Sequence, residues 1–558
     1  MLRYLGRASL IAMVLPLAVA AQQPVANPLK HDPKPTSGDI TAADLMTRLY
    51  IFADDSMMGR AAGTLNHDRG TEYIGSELKK LGLKPAGDNG TFFQTVPLVR
   101  RSIDADKSEL VVAGQRLAFG TDFVFQALGA LRPLSNAPVV FGGALGDTSV
   151  ALRPELLAGA FVVVTPSRGP LPGGQRGMIG ALARYDGALA VAIISAAPTI
   201  PVAQANAMRQ PRVTLPVAPA AGGAPGALVT LIASSAEAML GVRPEVATVG
   251  PTGRTVTGAL VLHDDPAPSR NVAAILEGRD AKLKGQYIVV GAHSDHTGMA
   301  NTAVDHDSLR AVNWAMNRYD MDNGKRAVGP TRDSIVKAVN QTLKGGGRRD
   351  SIRNGADDDG SGSMAVLEIA EKFAKNRQRP RRSMLFLWYT GEEIGLLGSR
   401  YYTDNPTVPR DSVVGAVNID MIGRGKSDDM KLGGDTFLQL VGSRRLSTEM
   451  GDLVESINRE RRTPFVFDYS FDADGHPENV YCRSDHFNWA RYSVPVTFFT
   501  TGLHGDYHQV TDEPQYIDYP HYAEITNLIH DVARTLAERD KAVTIDKPRP
   551  DPKGACRQ

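Results

Sequence analysis

The stretch that decides the fold runs "SMLFLWYTGEEIGLLGSRYY", residues 383–402. Its first eight residues have the length and β-propensity of a buried strand. The apolar run breaks at two adjacent glutamates, Glu392 and Glu393, and the residues after Gly395 read as the opening of a helix. Neighbouring carboxylates repel, so something must neutralise them or separate their tasks.

Three other runs have the same character: "QYIVVGAH" (286–293), "VVGAVNID" (413–420) and "VPVTFFTT" (494–501). Continuous apolar runs of this length suit a sheet buried on both faces. Between them lie helical patterns, "SMAVLEIAEKFAKN" (363–376) and "YAEITNLIHDVARTLAE" (522–538). The alternation predicts an α/β fold, a mixed, largely parallel central sheet with helices on both faces. Two more helices are expected within 41–83, where Tyr73, Ile74, Leu78 and Leu81 share a face.

Working outward, residues 130–250 change composition. They are rich in Ala, Gly, Pro and Val, with short runs such as "APVVFGG", "AFVVVTPS" and "ALAVAIISA". This predicts an inserted β-rich domain. Residues 299–353 form a second interruption, polar and basic, read as a loop-like insertion with some helix. The expected organisation is therefore 1–21 as a signal peptide, 22–129 as leader and N-terminal part of the main domain, and 130–250 as the insert. The main domain continues over 251–545, and 546–558 is a tail.

Residues 1–21 carry Arg3 and Arg7, an apolar stretch, then small residues at Ala18, Ala20 and Ala21. That is the layout of an export signal; the apolar core, about 13 residues and interrupted by Pro16, is short for a membrane span. A secreted or periplasmic protein with no integral membrane segment after cleavage is the expectation. The chain has 62 basic and 61 acidic residues, which argues against a nucleic-acid partner bound through bulk charge. Cys482 and Cys556 are the only cysteines; they can pair, but nothing in the sequence demands it.

Chemistry-bearing residues gather where the apolar runs stop. "GAHSD" offers His293 and Asp295, "GEE" offers Glu392 and Glu393, and "NIDMIG" carries Asp420. "NGADDDGSG" offers Asp357, Asp358 and Asp359 before a helix, and "GDYHQVTDE" offers His508. Each has a bland reading alone, as a structural histidine, an exposed turn or a solvated helical turn. Jointly those readings are poor, because an unpaired carboxylate in an apolar run costs several kcal/mol. Ligands collect outside the carboxyl ends of strands in open α/β sheets, and histidine with carboxylates is a zinc donor set.

As a set, these motifs resemble the M28 family of co-catalytic zinc aminopeptidases. That family includes the secreted bacterial leucyl aminopeptidases and, more distantly, glutamate carboxypeptidase II and the transferrin receptor ectodomain. The resemblance covers residues 270–540. It implies the zinc exopeptidase fold, two zinc ions and a secreted enzyme that acts on peptide or protein N-termini. His293, Asp358, Glu393, Asp420 and His508 match the metal ligands, with Asp358 shared between the ions. Glu392 matches the general base, and Asp295 the acid that orients the His293 imidazole. Tyr507 matches the tyrosine that stabilises the oxyanion, and Arg483 of "CRSDHF" an arginine near the substrate, although a salt bridge to Asp485 or another acid is an equal reading. Cobalt or manganese can occupy the same ligands. His508 is preferred to His504 because Tyr507 precedes it and Asp512 follows. His296, His306 and His486 have no matching role and read as structural.

The insert resembles a protease-associated (PA) domain, which in relatives influences substrate choice. One departure from the compact family members is the 65-residue separation of His293 and Asp358; the segment between them, 299–353, is expected to loop out and to roof the site. A carboxypeptidase-like or glutaminyl-cyclase-like enzyme, or an inactive receptor-like module, are the alternatives. The first needs an arginine cluster, the second uses one zinc, and the third should have lost ligands.

Overall fold

The computed structural model describes residues 27–149, 152–169, 175–216, 225–343, 347–554 and 556–558. The expected export signal at 1–21 lies outside them. Two compact units divide the chain, one formed by the residues up to Thr95 together with Arg270–Gln558, the other by Val96–Ser269.

The larger unit is built on a nine-stranded mixed sheet. Its main strands are β1 (Ser269–Leu276), β2 (Tyr287–His293), β3 (Ser383–Tyr389), β4 (Val413–Ile419), β5 (Phe437–Val441), β6 (Val466–Asp468) and β7 (Val496–Thr500). Their spatial order is β1-β3-β2-β4-β7-β5-β6, with Lys84–Pro85 and Phe93–Val96 pairing on β1. The central four, β3-β2-β4-β7, are mutually parallel, while β1 and β5 run antiparallel to their inner neighbours. The carboxyl ends of four strands therefore open on one edge.

Strand β3 shows why the sheet must be covered twice. Side chains alternate across a strand, and here both sets are apolar. Met384, Phe386 and Trp388 join one core with Leu45, Leu49, Phe373, Leu528 and Val532. Leu385, Leu387 and Tyr389 join another with Tyr402, Trp489 and Phe498. The first core is supplied by α1 (Ala42–Phe52), α2 (Leu65–Lys80), α5 (Gly362–Lys375) and α8 (Tyr519–Glu538), and the second includes α6 (Leu397–Asp404). Thr41, Thr64 and Asp518 cap α1, α2 and α8 by accepting first-turn N–H groups. A buried guanidinium, Arg48 of α1, pairs with Glu368 and Glu371 of α5 and lies 2.9 Å from Glu77 of α2, which ties the three helices together.

The 299–353 insertion has more structure than expected. A two-stranded hairpin, Met299–Asp305 with Arg349–Ile352, frames α3 (His306–Asn323) and α4 (Gly329–Thr342). It is a helical excursion rather than a loop. One further helix, α7 (Thr448–Arg459), follows β5. Cys482 and Cys556 are joined in a disulfide.

The smaller unit is wider than the 130–250 insert read from composition. Its eight-stranded sheet runs Gln115–Ala118, Glu109–Val112, Gly250–Ala259, Leu134–Ala144, Phe161–Thr165, Ala190–Ile194, Ala227–Leu231, Phe123–Ala127. The run from Leu134–Ala144 to Ala227–Leu231 is parallel and carries short helices between its strands. The flanks 96–129 and 251–269 belong to it because they supply strands to its sheets, including the three-stranded Arg212–Thr214, Val99–Ile103, Leu262–Pro266.

Two histidines in the larger unit are sealed from water. Burial lowers His67 and His486 to about 3; His486 is stacked on Phe498 at 4.8 Å. Because the unfolded imidazole titrates near 6.5, each stabilises the fold fully above that pH. The contribution is lost as pH falls from about 6.5 toward 3, since only the unfolded chain takes up the proton. At pH 5 the loss is about 2 kcal/mol per histidine. The urea midpoint should fall between pH 7.5 and pH 5, and His486→Phe should remove about 2 kcal/mol of that fall; an unchanged pH dependence in the variant would contradict the assignment.

Candidate metal centre

The parallel strands deliver their polar ends to one place. His293 is the last residue of β2, Asp420 follows β4, Glu392 and Glu393 follow β3, and His508 lies eight positions beyond β7. Asp358 comes from the irregular turn Ala356–Ser361 that leads into α5. All five expected ligands converge, and Asp358 is at their centre. Its Oδ1 is 3.3 Å from His293 Nε2, which is also 3.6 Å from Asp420 Oδ1. Its Oδ2 is 3.1 Å from His508 Nε2, which is 2.9 Å from Glu393 Oε2.

The three consecutive aspartates divide their work. Asp357 Oδ1 accepts the Gly423 N–H at 2.6 Å and the Ser361 hydroxyl at 2.9 Å. Asp359 accepts the N–H groups of His293, Gly362 and Met421 at 2.8–3.2 Å. His293, Asp359 and Asp420 also lie close enough to share an ion, but the oxygens of Asp359 are already taken by backbone, so Asp358 is the better donor. The backbone N–H groups of Asp357 and Asp358 point in turn at the buried carboxylate of Asp512, at 3.0–3.1 Å. Asp512 thus fixes the turn that carries Asp358, rather than His508 to which its sequence position had linked it.

Other expected roles shift in detail. His293 Nδ1 faces the backbone carbonyl of Asp295 at 3.0 Å, whereas the Asp295 carboxylate is 3.8 Å away. That carboxylate accepts the Glu392 N–H at 3.2 Å instead. The imidazole is oriented by a carbonyl, and Asp295 orients the glutamate turn. Arg483 pairs with Glu478 at 3.4 Å, not with Asp485, and donates to the Tyr507 hydroxyl at 3.3 Å. The Tyr507 ring stacks on His508 with centroids 3.8 Å apart. His504 lies elsewhere, its Nε2 3.2 Å from Asp357 Oδ2.

Two participants were not foreseen. His296 Nδ1 is 2.6 Å from Glu393 Oε1 and 3.8 Å from Asp358 Oδ2, on the His508 side of the cluster. Its signal was there as the second histidine of "HSDH". Ser484 donates to Asp420 Oδ2 at 2.8 Å and accepts from Asn418 at 2.8 Å, which fixes the Asp420 carboxylate.

The charges are strongly coupled. Burial opposes a charged His293, but Glu392 and Asp420 beside it raise its pKa well above the usual range. Burial likewise opposes charge on Asp358, and the His293 and His508 contacts hold it well below the usual carboxylate range. His508 is raised to about 10 against burial by Asp358 and Glu393. Glu392 goes the other way, pushed well up by burial and by Asp420 and Glu393.

The donor set fits metal ions. His293 Nε2, both ring nitrogens of His296, His508 Nε2, Asp358 Oδ2 and Glu393 Oε1 are inaccessible to solvent and lack an aligned hydrogen bond, although they lie beside one another. Buried polar atoms are rarely left so. Nitrogen and carboxylate oxygen in two adjoining groups, one around His293 and Asp420, the other around His508, His296 and Glu393, are the donor types that suit zinc or a similar divalent ion. Removing the support should loosen the ligands: Asp512→Ala is expected to weaken zinc binding by about 10–100-fold, read by titrating the metal-free protein against a chromogenic chelator. Unchanged affinity would show that Asp512 does not support the site.

Comparison with known proteins agrees with this geometry. Residues 271–533 match the model of peptidase family M28. A leupeptin-inactivating enzyme of Streptomyces exfoliatus is 41% identical over 87 residues, 15% of this chain and 20% of that protein. A probable leucine aminopeptidase of Arthroderma otae is 33% identical over 18% of this chain and 29% of its own length. The chain thus spans less than a third of each of these two relatives. The aminopeptidase from Aneurinibacillus sp. strain AM-1 superposes with a TM-score of 0.46 at 16% identity, over 92% of this chain and 97% of that one. From the strand carrying Asn271 to the last helix, this chain carries a domain of peptidase family M28.

Proposed function

We propose that the chain is a secreted two-zinc exopeptidase that removes the N-terminal residue of peptides, with Glu392 as general base. The observation that carries this reading is Asp358, whose two oxygens face separate histidine–carboxylate groups. Bound there, a zinc pair would acidify a water and polarise the scissile carbonyl; cobalt or manganese suits the same donors.

The chain's own residues do the rest. Glu392 sits 3.9 Å from His293 Nε2 and makes no claim on the ligand positions taken by Glu393. Its raised pKa suits a group that accepts a proton from water and returns it to the leaving amine. Tyr507 is kept protonated, its pKa raised by burial and by Asp358 and Glu393. Its hydroxyl can therefore donate to an oxyanion beside the metal centre, while Arg483 holds that hydroxyl in place.

A cavity of about 50 Å³ adjoins Asp358, Glu392 and Asp420. Met421, Phe471, Val480, Phe498 and Leu503 also line it. A free amine suits its carboxylates, and a small apolar side chain suits its apolar lining. Arg483 is the one arginine among the residues lining it, too few for recognition of a substrate carboxylate.

Export is supported by the pattern at 1–21 and by the Cys482–Cys556 disulfide, since such bonds persist in oxidising compartments. Among the described residues no helix is long and apolar enough to cross a membrane. The smaller unit is read as a PA-like module that contributes to substrate choice; it supplies none of the metal-centre residues.

The test combines metal content with hydrolysis of free-amine and N-blocked peptides by the parent protein and Glu392→Gln. About two equivalents of zinc are expected in both. Cleavage of the free-amine peptide should fall at least about 100-fold in the variant, and the blocked peptide should resist both. Retained activity in Glu392→Gln would remove the base assignment, and cleavage of the blocked peptide would remove the aminopeptidase reading.

A further inference from the structure

The 299–353 insertion meets the metal centre from behind the loop that carries Tyr507 and His508. Helix α3 has only His306 and Arg310 buried among its eighteen residues, and both face that loop. Arg310 forms an ion pair with Asp506, the residue before Tyr507, and its guanidinium lies 3.9 Å over the Tyr516 ring. Asp506 is 1% exposed and also receives Arg424 at 3.2 Å and the Thr511 hydroxyl at 2.7 Å. Asn313 of α3 donates to Thr511 Oγ1 at 3.2 Å. At Gly505 a Cβ would stand 3.0 Å from the Asn313 carbonyl oxygen and 3.2 Å from Asn317 Cβ. Loop and helix are thus in close contact, with little room for a side chain at this position.

A second tie lies one turn further along the loop. His306 Nε2 is 3.5 Å from Glu513, and Arg348 pairs with both Glu513 and Asp350. His306, Asp350 and Glu513 could geometrically share an ion, and Arg348 already pairs with both carboxylates and offsets one of their two charges. The trio therefore acts as a fastening.

The loop needs such fastening because His508 has φ +59°. A non-glycine residue in the left-handed region persists only where its surroundings over-determine it. Removing one fastening should let the residue relax and carry its imidazole away from Asp358 and Glu393.

We propose that the insertion is a rigid brace for the Tyr507–His508 loop, and that Arg310 is a positioning residue that acts on the metal centre through Asp506. It rests on the metal-centre reading above and replaces the expectation of a roof over the site.

The experiment titrates zinc into metal-free full-length protein against a chromogenic chelator, and records the cobalt(II) spectrum and the split of kcat from KM. In Arg310→Met, one of the two zinc affinities should fall about 10–100-fold with the other unchanged, and the cobalt ligand-field bands should shift. The loss in turnover should lie in kcat more than in KM. Arg310→Lys should restore part of the affinity. In a His508→Ala background, Arg310→Met should cost no further zinc affinity, because its route to the site is gone. Equal affinities in Arg310→Met and parent, or full additivity with His508→Ala, would overturn the brace. If Arg310→Met does not fold, Asn313→Ala decides: a several-fold weaker second zinc supports the proposal and parental affinities overturn it. Failure of the parent to cleave peptides would sink the functional reading while the titration still judges the brace.

Discussion

A carboxylate sealed from water must find compensation, and the larger unit places many of them at one sheet edge. Asp357, Asp358, Asp359, Asp420, Glu392, Glu393, Asp485 and Asp512 lie within or beside the same crevice. Some are satisfied in ordinary ways. Asp357 through Oδ1, Asp359 and Asp512 accept backbone N–H groups and so weld the turn before α5 to the ends of β2 and β4. What remains at the centre is a small set of atoms without an aligned protein donor, Asp358 Oδ2 and Glu393 Oε1 with the nitrogens of His293, His296 and His508. The welding and the residue are two sides of one constraint, since a turn held that firmly keeps Asp358 pointed where no hydrogen-bond donor meets its second oxygen.

Protons and divalent ions compete for the same donors. Raised His293 and His508 and raised Glu392 describe a pocket that keeps its net charge tolerable by holding hydrogen ions. Divalent ions would displace them, so loading should release protons and weaken with acidity. The same arithmetic explains the glutamate pair. Glu393 is drawn low by His296 and His508 against burial and Asp358, while Glu392 is driven up by burial, Asp420 and Glu393 against the pull of His293. Two adjacent residues of one type are given opposite electrostatic positions by a turn of backbone.

Much of this was legible in the chain. His293, Glu393 and Asp420 stood out because each ends or closely follows an apolar run, and the parallel sheet brings such ends together; Asp358, before a helix, and His508, eight positions beyond β7, were matched through the resemblance to the M28 family. The helices α5 and α8 were readable because their apolar faces are long and regular. What escaped reading had no apolar signature. Helix α3 buries His306 and Arg310, not a hydrophobic stripe, so it read as polar insertion. The strands "VRRSI" and "LHDDP" at the borders of the smaller unit are charged, which hid its true limits at Val96 and Ser269. Asp512 and Ser484 act through backbone and hydroxyl contacts that only folding creates, and the disulfide joins residues 74 positions apart. His296 was visible but lacked a reason to be chosen until Glu393 was found beside it.

The shared oxygen pair of Asp358 sits in an asymmetric setting. His293 is 1% exposed on one side and His508 is 35% exposed on the other. On the two-ion reading, the carboxylate makes the positions interdependent, yet the outer one has the more exposed ligand. Exchange with the medium should then be sequential, the His508 position emptying and refilling while the inner ion stays. A heterometallic form made by brief treatment with a chelator and a second metal would carry the newcomer on the outer side.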